Sequence, residues 1–180
     1  TFILTDGYTA KLQGEVDLEE EPMENFQTES LFGREDEYIN YRNCYEYEEE
    51  IYELNMKLKS DFEKFAPEIE EFEVYPNEPK KKVATLVIAH GIVGLAAKAA
   101  VDNSKNAALF RPITLRPFPE KALRNLSENV KKILVVESAA DQIYKMVKQA
   151  LYGMDIPIEH IGKPGLGVYP EEIEKTISNF

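Results

Sequence analysis

The chain has 180 residues, 43% of them hydrophobic, and a formal net charge of −12. That length holds one substantial domain and something smaller, and no apolar run is long enough to cross a membrane as a helix. Net acidity argues against nucleic acid as the main partner, and the single cysteine, Cys44, excludes a disulfide framework, zinc knuckle or iron–sulfur cluster built from this chain alone.

A lone cysteine and no visible signal peptide point to a reducing, cytoplasmic compartment. The chain opens at Thr1 on the apolar Phe2-Ile3-Leu4 rather than on Met, which reads as a fragment of a longer protein cut inside or just after a strand. The charge is unevenly spread. Residues 1–79 hold 6 Lys/Arg against 23 Asp/Glu, a balance of −17, and residues 80–180 hold 15 against 10, a balance of +5. Two regions therefore meet at Lys80-Lys81-Lys82, itself read as a solvated strand edge.

In chain order, residues 2–8 read as the end of a buried strand that turns at Asp6-Gly7. Residues 15–50 lose any sustained apolar period. They read either as a disordered acidic linker or, because tyrosines are interleaved, as an irregular segment wrapping another surface. From Glu48 a helical period begins: Ile51, Leu54, Leu58, Phe62, Phe65 and Ile69 form one apolar stripe, predicting a helix over about 48–66 that Pro67 ends or kinks. Glu71–Tyr75 alternates as a short edge strand, followed by proline punctuation.

The remainder is regular. Val83–Ala89 predicts a buried strand and Gly91–Val101 a helix of small residues. Ala107–Phe110 predicts the next strand. It should leave the sheet near Arg111, since the prolines at 112, 117 and 119 cannot donate to a ladder. A helix then runs from Pro119 to about Asn129. Ile133–Glu137 is another strand, Ala139–Leu151 a helix, Ile156–Ile161 a strand, and Pro170–Ile177 a last helix. Buried strands alternating with helices give a mostly parallel sheet covered on both faces. Right-handed crossovers gather the C-terminal strand ends on one rim. That rim would carry His90-Gly91, Arg111-Pro112, Glu137-Ser138 and Gly162-Lys163.

None of these makes a catalytic set. The loop Gly162–Gly167 lacks the order of a phosphate cradle, and Pro164 removes an amide from it, so it reads as a structural turn. His90 has only His160 as fellow histidine and no nucleophile motif, so it reads as a hydrogen-bonding rim residue. Ser138 would cap the helix after Glu137, with Asp141 three positions on. Arg111 would pair with a neighbouring acid or meet a ligand phosphate.

The ordered strings Phe110–Pro119, Lys132–Glu137 and Gly162–Gly165 resemble the C-terminal part of the alpha subunit of 2-oxoacid:ferredoxin oxidoreductases. Ala89–Lys98 is similar to that family's first loop and helix. Leu54–Leu58 is similar to the helix before the domain in the branched-chain and 2-oxoglutarate members, and Leu4–Tyr8 to the strand end closing a preceding pyrimidine-binding domain. The resemblance implies an α/β fold like the C-terminal domain of transketolase: three layers and a five-stranded, mostly parallel mixed sheet, with Phe72–Tyr75 as the antiparallel edge. It implies residues 1–14 as the end of the preceding domain, 15–79 as the acidic linker with its helix, and 80–180 as the transketolase C-terminal-like domain.

The same resemblance implies an enzyme that converts a 2-oxoacid, CoA and oxidised ferredoxin into acyl-CoA, CO2 and reduced ferredoxin. Thiamine diphosphate, magnesium and iron–sulfur clusters would serve the whole complex, none of them bound by this segment. A beta subunit, gamma and delta subunits in some members, and ferredoxin would be its partners. The segment itself would carry no catalytic residue and would serve subunit assembly, with His90, Gly91, Arg111, Glu137, Ser138 and Lys163 as rim contacts. Two departures from the family bear on substrate type: Arg116 replaces a more usual aromatic residue, and Ser138–Asp141 replaces a more polar, glycine-containing stretch. The rival is a stand-alone nucleotide- or CoA-binding module using the same rim, and a third reading is a scaffold without ligand. Convergence of Arg111 and Lys163 would favour the module; an exposed apolar surface on the 51–69 helix would favour assembly.

Overall fold

A computed structural model of the chain describes residues 11–15, 44–76 and 83–179. The readings made for residues 2–8, for most of 15–50 and for Lys80-Lys81-Lys82 lie outside these residues.

The elements run α1 (Glu48–Ile69), β1 (Phe72–Tyr75), β2 (Thr85–Ala89), α2 (Val93–Asp102), β3 (Ala107–Pro112), α3 (Glu120–Ser127), β4 (Lys132–Glu137), α4 (Gln142–Ala150), β5 (Ile158–Gly162) and α5 (Pro170–Ser178). The five strands form one sheet in the order β1-β3-β2-β4-β5. β1 is antiparallel to β3, and every other neighbouring pair is parallel. This is the mixed sheet that the family resemblance implies, with Phe72–Tyr75, read from alternation as an edge strand, as its antiparallel edge.

The apolar runs sort by residue parity, because successive side chains of a strand point to opposite faces. Leu86, Ile88, Ala108, Phe110, Ile133 and Val135 meet Leu123 of α3 and Ile143 and Val147 of α4 in one core layer. Val87, Ala89, Leu109, Leu134 and Val136 meet Ala97 and Val101 of α2 and Ile173 and Ile177 of α5 in the other. β4 is buried along all six residues, as a strand covered on both faces must be. Phe110 is fully buried and stacked on Phe72 at 5.4 Å between centroids. A side chain of that size contributes about 1.5–3 kcal/mol when taken wholly out of water.

Several boundaries differ from the sequence reading for identifiable reasons. α1 continues past Pro67 to Ile69. Proline withholds a single N–H there, and the Glu70 N–H closes the final turn on the Ala66 carbonyl at 3.0 Å. β3 runs on through Arg111 and Pro112, because antiparallel pairing with β1 places Glu73 opposite Arg111 and Phe72 opposite Pro112. Pro119 stands just outside α3 rather than in its first turn. α2 starts at Val93 because Gly91 is in the left-handed region, φ 59°, and belongs to the turn. α4 starts at Gln142 instead of Ala139, for a reason that belongs to the rim. β2 and β5 begin two residues later than expected, at Thr85 and Ile158.

Long side chains tie the helices together. Arg124 of α3 donates from Nη1 to the carbonyls of Ala150 at 2.7 Å and Tyr152 at 3.2 Å, satisfying the C-terminal end of α4 with a cation. α1 is different. None of its residues is buried; Leu58 is 56% exposed and Phe65 50%, and Ile51, Met56 and Ile69 are exposed with them. Its Phe62 lies beneath the Arg116 guanidinium of the loop between β3 and α3, 5.3 Å from the ring centroid.

Candidate functional site

The parallel strands β2–β5 end together on one rim, and the chain reverses its direction of winding at β2. α2 leaves β2 on one face of the sheet and α4 leaves the adjacent β4 on the other. In open α/β sheets the crevice at such a switch point is where ligands bind. Here it lies between His90-Gly91 and Glu137-Ser138.

His90 follows the last residue of β2. Its Nδ1–H donates to the Pro112 carbonyl at 2.8 Å, two residues beyond the last β2–β3 ladder pair, Ile88 with Phe110. The imidazole thus extends the sheet where proline ends the backbone ladder. Gly91 makes the turn that His90 leads into.

Glu137 is the centre of the rim. It is only 3% exposed, yet both carboxylate oxygens are used. Oε2 accepts the Ile143 N–H at 2.9 Å, and Oε1 accepts the Tyr144 N–H at 3.1 Å and the His160 Nε2–H at 2.9 Å. Two orphan amides at the start of α4 and one imidazole are satisfied by a single carboxylate at the positive end of the helix. This corrects the expected cap. Asp141 occupies the capping position but turns its carboxylate to Lys145 at 2.8 Å and makes no side-chain cap bond, and Ser138 is exposed in the preceding bend. Glu137, reaching forward from the strand, is the cap, and it sets where α4 begins.

His160 was singled out only as a companion to His90. Parallel register pairs Val135 with His160 and Glu137 with Gly162, so Glu137 and His160 share one face of the sheet. Tyr144 stacks on the imidazole at 4.5 Å and 16°. Gly162 closes the cluster: a Cβ there would lie 2.6 Å from the Ala140 carbonyl oxygen, 2.7 Å from His160 Cε1 and 2.9 Å from the Ala139 carbonyl oxygen. Only glycine lets the β4–α4 bend sit this close to β5.

Arg111 and Lys163 do not converge. They belong to β3 and to the end of β5, with β2 and β4 between. Arg111 donates to Glu73 Oε2 at 2.8 Å and lies over Gly94 of α2, where an added Cβ would meet Nε at 3.0 Å. Lys163 donates to Glu172 Oε2 at 2.6 Å and to the Gly167 carbonyl at 3.3 Å, folding the Gly162–Gly167 loop onto α5. Each cation has its own glutamate, and the glycine-rich loop is a structural turn. The pairing partners Glu73, Glu172 and His160 were not legible as site residues, because strand register and helix docking, not sequence distance, bring them in.

Among the described residues no group of three or more His, Cys, Asp or Glu comes together to hold a metal ion, and no helix is long and apolar enough to cross a membrane. Cys44 is exposed and the chain has no second cysteine.

The sequence pattern of the pyruvate:ferredoxin oxidoreductase core domain II family matches residues 84–173, from the first residues of β2 to α5. The chain belongs to that family. It is 35% identical over 115 residues to the ketoisovalerate oxidoreductase subunit VorB of Methanothermobacter marburgensis, and 33% identical over 115 residues to the VorB subunit of Methanothermobacter thermautotrophicus. Both alignments cover 61% of this chain and 32% of the relative, so the chain spans about a third of the length of the curated relatives it matches. Among solved structures, the 2-oxoglutarate:ferredoxin oxidoreductase of Magnetococcus marinus, determined with 2-oxoglutarate, coenzyme A and succinyl-CoA bound, superposes with a TM-score of 0.57 at 17% identity. That match covers 74% of this chain and 24% of the other, and what the two share is the fold. The three-layer α/β architecture with its five-stranded mixed sheet, shared with that oxidoreductase, and membership of the pyruvate:ferredoxin oxidoreductase core domain II family both stand.

Proposed function

We propose that this chain is the C-terminal part of the alpha subunit of a thiamine-dependent 2-oxoacid:ferredoxin oxidoreductase. In this reading the whole complex converts a 2-oxoacid, CoA and oxidised ferredoxin into acyl-CoA, CO2 and reduced ferredoxin. The segment holds subunits together and shapes the rim beside the active site, while thiamine diphosphate, magnesium and iron–sulfur clusters are held elsewhere in the assembly. Domain core membership over residues 84–173 carries the activity class. The exposed apolar stripe of α1 carries the assembly role, since isolated amphipathic helices of this kind gain their stability by docking. Residues 1–14 belong, on the same reading, to the end of a pyrimidine-binding domain, with residues 15–79 linking it to the transketolase C-terminal-like domain of residues 80–180.

The rim residues act here as architecture. His90, Gly91, Arg111, Glu137, Ser138 and Lys163 fix the strand ends and loops that a neighbouring subunit or substrate would meet. The rival binding module is disfavoured, because Arg111 and Lys163 are paired apart with Glu73 and Glu172. The likeness to ketoisovalerate oxidoreductase subunits supports a branched-chain 2-oxoacid as first substrate to try.

The test is CoA-dependent reduction of a viologen dye by the native full-length chain, isolated with whatever co-purifies and offered a panel of 2-oxoacids. Reduction by an assembly containing thiamine and iron is the expected result. A chain that purifies alone and reduces nothing with any 2-oxoacid would overturn the proposal.

A further inference from the structure

Glu70 and Glu71 alone join α1 to β1. Glu70 still belongs to the helix, since its N–H closes the last turn on Ala66. Glu71 is therefore the joint that sets the direction in which α1 leaves the sheet. Both of its backbone groups are held by the loop between β3 and α3. The Glu71 N–H donates to Thr114 Oγ1 at 3.0 Å. The Glu71 carbonyl accepts the Ile113 and Thr114 N–H groups at 3.0 and 3.1 Å, and the Thr114 hydroxyl reaches the same oxygen at 3.3 Å. The joint is exposed, so water could satisfy these groups equally well. What the threonine adds is a fixed direction.

The same loop meets α1 further along, where Arg116 lies over the Phe62 ring in a cation–π contact. From Asp61 to Glu70 the half-buried residues are Phe62, Ala66 and Glu70, spaced by four and so on one ridge. Ile51, Leu58 and Phe65, spaced by seven, form a second line and are exposed. One ridge is seated and the other is left outward.

Direction matters because the helix is long. Its 22 residues span about 33 Å at 1.5 Å per residue, so a tilt of about 20° at Glu71 would carry the far end about 11 Å aside. A partner packing on the outward line would have to fix that freedom on binding. Holding the helix beforehand strengthens affinity without adding a contact. We infer that the β3–α3 loop is an orienting seat for α1, in which Thr114 and Arg116 are positioning residues that aim the line Ile51, Leu58 and Phe65 at a neighbouring subunit without touching that subunit themselves. This rests on the reading of α1 as an assembly surface.

The test uses the full-length subunit in its native assembly, carrying Thr114→Val or Arg116→Ala. Valine keeps the shape of threonine and removes the hydroxyl. Each change should weaken partner affinity in sedimentation about three- to fivefold, and the two together about tenfold or more. In a Phe62→Ala background, adding Arg116→Ala should weaken affinity no further, because the guanidinium acts through that ring. Glu-specific proteolysis, read peptide by peptide, should cut the full-length chain after Glu71 faster in Thr114→Val than in wild type. A direct contact with the partner would not produce that change. Wild-type affinity in Thr114→Val/Arg116→Ala, unchanged cleavage after Glu71, or additive losses for Phe62 and Arg116 would each overturn the inference. Leu58→Glu/Phe65→Glu separates it from the reading it rests on. An assembly that survives that change removes the assembly role and the seat together. An assembly that it breaks, but that keeps full affinity in Thr114→Val/Arg116→Ala, removes the seat alone.

Discussion

Replacing Glu137 by alanine should destabilise the sheet domain more than any other single change on the rim. The carboxylate is buried and accepts from Ile143 N, Tyr144 N and His160 Nε2 at 2.9, 3.1 and 2.9 Å. Losing a helix cap costs about 1 kcal/mol, and a buried donor left unsatisfied costs about 1–3 kcal/mol. With water admitted to part of the vacated space, the sum is about 3–5 kcal/mol, a fall of roughly 10 °C or more in Tm for a domain of this size. Glu137→Gln should recover part of that loss, because its one carbonyl oxygen can still accept from Tyr144 N while Ile143 N loses its acceptor. Urea or thermal unfolding of the full chain, followed by far-UV dichroism, gives the number, and amide exchange at Ile143 and Tyr144 locates it. A Glu137→Ala chain within about 1 kcal/mol of wild type, with those amides still protected, would refute the view of this carboxylate as the clasp of β4, α4 and β5.

Gly162→Ala places a methyl group 2.6 Å from the Ala140 carbonyl oxygen, so the β4–α4 bend must retreat; a loss of about 1–3 kcal/mol is expected, with faster amide exchange through 139–144. An unperturbed variant would show that the bend is not held against β5. Lys132 supplies a pH signature. Its folded pKa is lowered by desolvation below the ordinary lysine value of 10.5, so between the two values the unfolded chain binds the extra proton and stability rises with pH. Compared with Lys132→Met, the wild type should therefore gain relative stability as pH climbs toward 10.5 and show no such trend below the folded pKa. Parallel curves for the two proteins across that window would contradict it.

The apolar runs at 85–89, 107–110 and 133–136 are continuous enough to declare strands buried on both faces, so the sheet was legible. So was the α1 stripe. Boundaries slipped where a tertiary partner overrode local signals: β1 carried Arg111 and Pro112 into β3, and Glu137 moved the start of α4 three residues past Ala139. The rim was legible as a set of strand ends, yet its bonding was not. His160 lies 23 residues from Glu137 and Glu73 lies 38 from Arg111, separations that only sheet order and register close.

The claim that residues 48–69 form an assembly surface is tested most directly by Leu58→Glu/Phe65→Glu in the full-length subunit. Both side chains are at least half exposed here and contribute nothing to the sheet core. Sedimentation of the purified assembly should show partner affinity weakened about 100-fold or more, the effect of two charges at an apolar anchor, with the Tm of the sheet domain unchanged. An intact assembly of wild-type affinity would contradict the account.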